Sequence, residues 1–210
     1  MIAGSKIIIR EKSSVDAWND YAWETDPELS HLDAVSPTTI PFSRYLLEYA
    51  NELNYAPPSS RRFAIDTLDS EHIGNCSYYN ISETRGEAEL GIMIGNRNYW
   101  DKGYGADVVT TLVDYIFRQT NLNRIYLKTL ESNSRAQKCF QKCGFTPYRQ
   151  RDRDGFSFTL MEIHRNQWQE REAGKAASSS NEEMILPTKD PGMNTKGPGD
   201  NSPFSQVDDS

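Results

Sequence analysis

The chain has 210 residues, 37% hydrophobic and 11% aromatic, which suits one globular domain of ordinary size. Its formal net charge of -7 and isoelectric point near 5.1 argue against a general binder of nucleic acid or of anionic membrane surfaces. No apolar run approaches the length of a membrane helix, and Ile7-Ile8-Ile9 is too short for the core of a secretory signal.

Residues 6–10 read as a strand. Residues 15–23 are helical, with Val15, Trp18, Ala22 and Trp23 at helical spacing. Pro41 opens a second helix in which Phe42, Tyr45, Leu46, Tyr49 and Leu53 recur at threes and fours, and Pro57-Pro58 ends it. Residues 61–67 and 73–81 read as paired strands. After a polar turn, residues 87–94 form a further strand. Residues 105–120 carry a broad apolar helical face from Val108 to Phe117. A short strand at 124–129 and a helix at 134–143 follow, the helix closed by Gly144. Strands at 145–149 and 156–164 flank the turn Asp152-Arg153-Asp154-Gly155. The fold class is α/β (α+β) with a mixed sheet, and its irregular alternation argues against a doubly wound nucleotide fold. The folded domain spans residues 1–172. Residues 173–210 are rich in Ser, Gly, Pro, Asn and Asp, and read as a disordered tail.

Cys76, Cys139 and Cys143 form no CxxC pair, so a reducing cytoplasm is the expected compartment. Cys139 and Cys143 share a helix face and read as small buried residues rather than acyl carriers. His31, His72 and His164 are scattered, so no metal site is expected.

Residues 97–106 join a strand to a strong helix. Gly103-Tyr104-Gly105 lets backbone N–H groups approach an anion at the helix start, and Lys102 adds charge. The segment lacks the Gly-Lys-Ser/Thr ending of a P-loop, and Val108 stands where a dinucleotide fingerprint needs glycine. Alone, it is equally a tight turn before a helix.

Four motifs occur in order: Glu89-Leu-Gly-Ile-Met-Ile94, Tyr99-Trp-Asp-Lys-Gly-Tyr-Gly-Ala106, Asn133-Ser-Arg-Ala136 and Lys142-Cys-Gly-Phe145. Together they resemble the GCN5-related N-acetyltransferase (GNAT) superfamily, in the branch of ribosomal-protein N-terminal and spermidine acetyltransferases. The resemblance covers roughly residues 6–164. It implies a largely antiparallel twisted sheet with one splayed parallel strand pair, flanked by about four helices. It also implies acetyl-CoA as co-substrate, with the pantetheine arm against the backbone of Ile92, Met93 and Ile94. Lys102, Gly103, Tyr104, Gly105 and Ala106 would cradle the pyrophosphate. Asn133 would bond the arm, and Ala136 and Phe140 would pack beside it. Trp100 departs from the Gln or Arg that the family often places before its loop. Asn133 also reads as a helix N-cap, and the two roles are compatible.

An alkyl amine with a pKa of about 10.4 must lose a proton before it attacks a thioester. Glu89 is the candidate base, with Glu87 on the same strand face. A backbone N–H near Met93 is the natural oxyanion donor. Relatives often carry a tyrosine where Phe140 stands, so the general acid is left to Tyr148, Ser134 or water. The expected partner is an amine acceptor (a protein N-terminus, a polyamine or another small amine), and the chain is expected to be a monomer or homodimer. The alternative is a catalytically silent acyl-CoA-binding or sensing module. Glu24, Asp26 and Glu28 offer charge for a cationic acceptor, or form a solvated helix end and turn.

Overall fold

The computed structural model describes residues 1–55 and 57–183, with backbone alone for 175–183. Eight strands form one sheet: β1 (Ile2–Ala3), β2 (Ile7–Glu11), β3 (Ser60–Thr67), β4 (His72–Ser82), β5 (Glu87–Ile94), β6 (Arg124–Leu130), β7 (Thr146–Arg153) and β8 (Phe156–His164). Their spatial order is β1-β2-β3-β4-β5-β6-β8-β7, and only β5 and β6 run parallel. Six α-helices flank it among the described residues, two more than the sequence led us to expect. They are α1 (Ala17–Glu24), α2 (Pro27–Leu32), α3 (Phe42–Asn54), α4 (Tyr104–Gln119), α5 (Ser134–Lys142) and α6 (Arg165–Glu183).

The apolar stripe of α4 explains the main core. Val108, Val109, Leu112, Val113, Ile116 and Phe117 are all buried, against Ile7, Ile9, Ile125 and Leu127 of the sheet. A smaller cluster of Ala17, Tyr45 and Tyr49 ties α1 to α3.

The two unexpected helices have local causes. α2 replaces the expected solvated turn because Asp26 caps it, accepting from the N–H groups of Glu28 and Leu29 at 3.0 Å each, with Pro27 in the first helical turn. α6 follows β8 with Arg165 at its start donating to the carbonyl of Phe117 in the last turn of α4 and to those of Thr120 and Leu122 just beyond it. Trp168 then packs on Phe117 with ring centroids 5.5 Å apart. The compact unit spans Met1–Ala173, and α6 runs beyond the boundary expected at 172. From residue 184 onward, the expected disordered tail lies outside the described residues.

β7 extends to Arg153, into the expected turn, while β8 has its expected bounds, leaving Asp154 (φ 52°) and Gly155 (φ 81°) as the two left-handed residues of a tight hairpin. Among the described residues, no helix is long and apolar enough to cross a membrane.

Candidate active site

The site begins where two strands part. β5 and β6 pair only at Glu87–Arg124, Ala88–Ile125 and Glu89–Tyr126. Beyond Glu89, β5 stays paired to β4 through Cys76, Asn75 and Gly74, while β6 stays paired to β8. Ile92, Met93 and Ile94 therefore have no strand neighbour on the β6 side. Such an edge offers backbone N–H and C=O groups to an extended ligand arm.

A cavity of about 430 Å³ fills this gap. Ile92, Met93 and Ile94 line one wall, the loop residues Tyr99, Trp100, Asp101, Gly103, Gly105 and Ala106 a second, and α5 a third. Gly103 caps α4 in the left-handed region at φ 84°, where a side chain is strained, so the loop turns sharply onto the helix start. The first N–H groups of α4 lack helical acceptors and, with the helix dipole, favour an anion there. On α5, the side chain of Asn133 accepts from the N–H of Ala136 at 3.1 Å. It is the N-cap and also lines the cavity, so both roles expected for it are sterically compatible. Phe140 is buried, packs edge-on against Phe145 and lines the cavity without any hydroxyl.

Nine of the eleven expected cofactor residues line this one cavity: Ile92, Met93, Ile94, Gly103, Gly105, Ala106, Asn133, Ala136 and Phe140. Lys102 and Tyr104 do not. The Lys102 carbonyl accepts from the Lys6 ammonium at 2.9 Å, and the partly buried Tyr104 ring packs edge-on against Tyr99 and against the main core. The side chains that bring positive charge to the wall are instead Arg135, Lys138 and Lys142 of α5.

Glu89 sits at the point of divergence, outside the cavity lining, and is buried. Its carboxylate accepts from the Tyr79 hydroxyl at 2.8 Å and the Asn80 amide at 3.0 Å, and lies 3.3 Å from the Lys128 ammonium. Strand alternation puts Glu89, Gly91 and Met93 on one face. Gly91 has no side chain, and the Tyr79 ring lies over it. Burial, followed by the charge and hydrogen bond of Glu89, pushes the Tyr79 hydroxyl up, so it stays protonated. Glu87, by contrast, is engaged by Arg85 at 2.8 Å and Arg124 at 2.6 Å.

The α1–α2 carboxylates divide. Asp26 and Glu28 are taken by Arg97, at 2.8 and 2.7 Å, so they do not offer free charge to a cation. Asp33 lines the cavity, reached by solvent yet surrounded by protein, and this desolvation raises its pKa despite Lys128. Desolvation also raises Glu24, against the hydrogen bond it accepts from Tyr45 at 2.8 Å. Of the proposed proton donors, Ser134 lines the cavity, whereas Tyr148 sits on the exposed strand β7, its ring 5.0 Å from the Arg124 guanidinium carbon. The Cys139 thiol is raised by its hydrogen bond with Cys143 and by burial, and burial raises the Cys76 thiol. These shifts favour neutral thiols over nucleophilic thiolates.

Comparison with known proteins agrees with this geometry. The family described as Acetyltransferase (GNAT) domain matches residues 6–146. A Bacillus licheniformis protein named uncharacterized N-acetyltransferase p20 is 30% identical over 141 residues, covering 67% of this chain and 79% of that protein. A spermidine N(1)-acetyltransferase of Vibrio cholerae is 29% identical over 87 residues, 41% of this chain and 50% of that one. Among solved structures, spermidine N-acetyltransferase from Vibrio cholerae in complex with CoA and spermine superposes with a TM-score of 0.69 at 19% identity, over 78% of this chain and 98% of that one. An aminoglycoside acetyltransferase in complex with coenzyme A gives 0.66 at 20% identity, over 78% and 98%. The matched family spans two thirds of the sequence and includes the divergent strands, the glycine loop and α5, so this chain belongs to the GNAT acetyltransferase family and is an acyltransferase.

Proposed function

We propose that the chain moves an acetyl group from acetyl-CoA to a primary amine by direct attack while both substrates are bound. The observation that carries this reading is the divergence of β5 and β6 beyond Glu89, which opens the Ile92–Ile94 edge beside a cavity bounded by the glycine loop and α5. The cavity has the parts that an acyl-CoA needs: a strand edge for the amide-bearing arm, helix-start N–H groups for phosphate, and an apolar patch of Ile92, Ala136 and Phe140 for the thiol end. Bound acetyl-CoA supplies the thioester.

The chain's own residues supply the rest. Glu89 is the base that takes the proton from the ammonium form of the acceptor, directly or through water. Tyr79, Asn80 and Lys128 fix the orientation of its carboxylate. The Met93 N–H is aligned by β4 pairing and donates to the developing oxyanion. Phe140 provides no proton, so the coenzyme A sulfur, with a thiol pKa of about 8.5, leaves as thiolate or takes its proton through Ser134 or water. Asp33, the carboxylate on the cavity wall, is the group offered to a cationic acceptor. We put polyamines first among the candidate acceptors, ahead of protein N-termini and other small amines, with support from the spermidine and spermine in the names of two relatives. The missing hydroxyl at Phe140 is the one feature that favours a silent acyl-CoA sensor.

Calorimetric titration with acetyl-CoA, followed by thiol release with an amine panel, tests the reading. Binding and amine-dependent thiol release are expected. Binding without release with any amine indicates the sensor, and absence of binding refutes both.

A further inference from the structure

The cavity's positive charge comes from α5, and its arrangement has a consequence for donor recognition. Arg135, Lys138 and Lys142 are spaced i, i+3 and i+7, which puts them on one helix face, and all three line the cavity. Among the described residues, no ion pair joins any of them to a carboxylate. Arg97, Arg10 and Arg124 are different, each held by two carboxylates. A guanidinium without an acidic partner at a cavity wall keeps its donors for an anionic ligand.

Arg135 is nonetheless fixed in place. Its guanidinium carbon lies 3.5 Å from the centroid of the Trp100 ring. The Trp100 indole N–H donates to the carbonyl of Ile94 at 2.6 Å, which anchors the ring to the end of β5. The stack therefore joins the loop wall to the α5 wall, and both of its members line the cavity. Stacking uses the guanidinium's flat face and leaves its N–H edges free, so a planar, pre-oriented fork is aimed by an aromatic platform. Lys102, the charge that the loop sequence offers, does not line this wall.

We infer that Arg135, seated on Trp100 and supported by Lys138 and Lys142, recognises the phosphate groups of the acyl donor. The inference deepens the acetyl-CoA reading above and rests on it. Trp100 thus has a defined task in place of the polar residue that the loop lacks. It does not contact phosphate through its N–H, which the Ile94 carbonyl occupies, but positions the arginine that does.

The test uses the full chain, with Kd from calorimetry and steady-state kinetics, and thermal melts to confirm that each variant is folded. Arg135→Ala is expected to weaken acetyl-CoA binding and raise its KM roughly tenfold or more, the loss of a charge-assisted bond. The kcat at saturating donor should stay close to wild type. Arg135→Lys should recover only part of the loss, because an ammonium has no planar fork. Trp100→Leu should weaken binding too, and Arg135→Ala added to it should cost less than in wild type, since the two act as one unit. Acetyl-dephospho-CoA identifies the phosphate. If Arg135→Ala costs nothing with this donor, the contact is the ribose phosphate; if the cost persists, it is the pyrophosphate. Both outcomes support recognition by Arg135. Unchanged affinity for acetyl-CoA in a folded Arg135→Ala variant overturns the inference and leaves the acetyl-CoA reading standing. Failure of the wild-type chain to bind acetyl-CoA overturns the reading itself.

Discussion

The two faces of the sheet are built from opposite chemistry. The face under α4 and α5 is apolar, with Ile7, Ile9, Ile125 and Leu127 closing on Val108, Leu112 and Ile116. The face under α1 and α3 buries charge. Asp20 accepts from Lys12 at 2.5 Å, Tyr49 at 2.9 Å and Asn75 at 2.6 Å, and Asp16 and Asp66 share Arg10. The apolar face is held by area removed from water and tolerates no cavity. The charged face is held by completed pairs, so its cost appears only when a pair is broken. The donor cavity opens beside the first face, and Glu89 with its three partners lies toward the second. The proposed function therefore sets the reaction at the seam between them, where β5 and β6 part.

The largest expected effect falls on the donor side alone. Gly103→Glu should weaken acetyl-CoA binding by about a hundredfold or more, because it strains a left-handed position and sets a carboxylate against the phosphates. Calorimetry checks this, and a thermal melt should show the charged face undisturbed. Next is a contrast of stability between the faces. Asp20→Ala should cost about 3–5 kcal/mol by leaving Lys12 buried without its partner. Leu112→Ala should cost about 2–5 kcal/mol through a cavity. Denaturant unfolding separates the causes. Adding Lys12→Met should recover part of the Asp20→Ala loss, and it has no counterpart for Leu112→Ala. If nothing is recovered, uncompensated charge is not what destabilises that face.

A smaller effect is visible in pH. Burial works against ionisation of Asp16, but the Arg10 guanidinium, the Ser13 N–H and His72 outweigh it and hold the carboxyl below the usual range. A depressed folded pKa contributes stability above the unfolded value, about 3.9, and that contribution disappears as pH falls through the folded value. Melting temperature should therefore drop on acidification below about pH 4, and Asp16→Asn should be less stable at pH 7 and show a shallower drop. An unaltered acid slope in Asp16→Asn would remove Asp16 from this account. The smallest effect is expected from removing residues 174–210. The α6 contacts through Arg165 and Trp168 are retained, so the melting temperature should change by roughly a degree or two at most.

What the sequence made legible follows from the range of the interactions. Alternation in β5, the apolar stripe of α4 and the glycine before it are local patterns, and the structure reproduces them. The residues around the cavity were reached differently: its walls come from contiguous motifs, but only their resemblance to a family, and no local pattern, marked them as one site. The holders of Glu89 were not, because Tyr79, Asn80 and Lys128 come from two other strands and meet it only through register. α2 has six residues, too few to show a period, although Asp26-Pro27 was a readable start signal. α6 has little apolar pattern beyond Trp168 and is anchored by Arg165, whose carbonyl partners no spacing reveals. The cationic face of α5 was written in the sequence as Arg135, Lys138 and Lys142. It reads there as an ordinary solvated helix face, and only the wall it joins gives it a role.

The most direct test of the central claim is thiol release from acetyl-CoA with polyamines, peptides and aminoglycosides, measured for wild type and Glu89→Gln across pH. The account predicts amine-dependent release by wild type. At neutral pH Glu89→Gln should lower turnover by about a hundredfold or more, with little change in acetyl-CoA affinity. The gap should narrow at high pH, where free amine needs no base. Equal rates for the two proteins at every pH would contradict the role of Glu89, and acetyl-CoA binding without release for any amine would contradict the acetyl transfer to these acceptors.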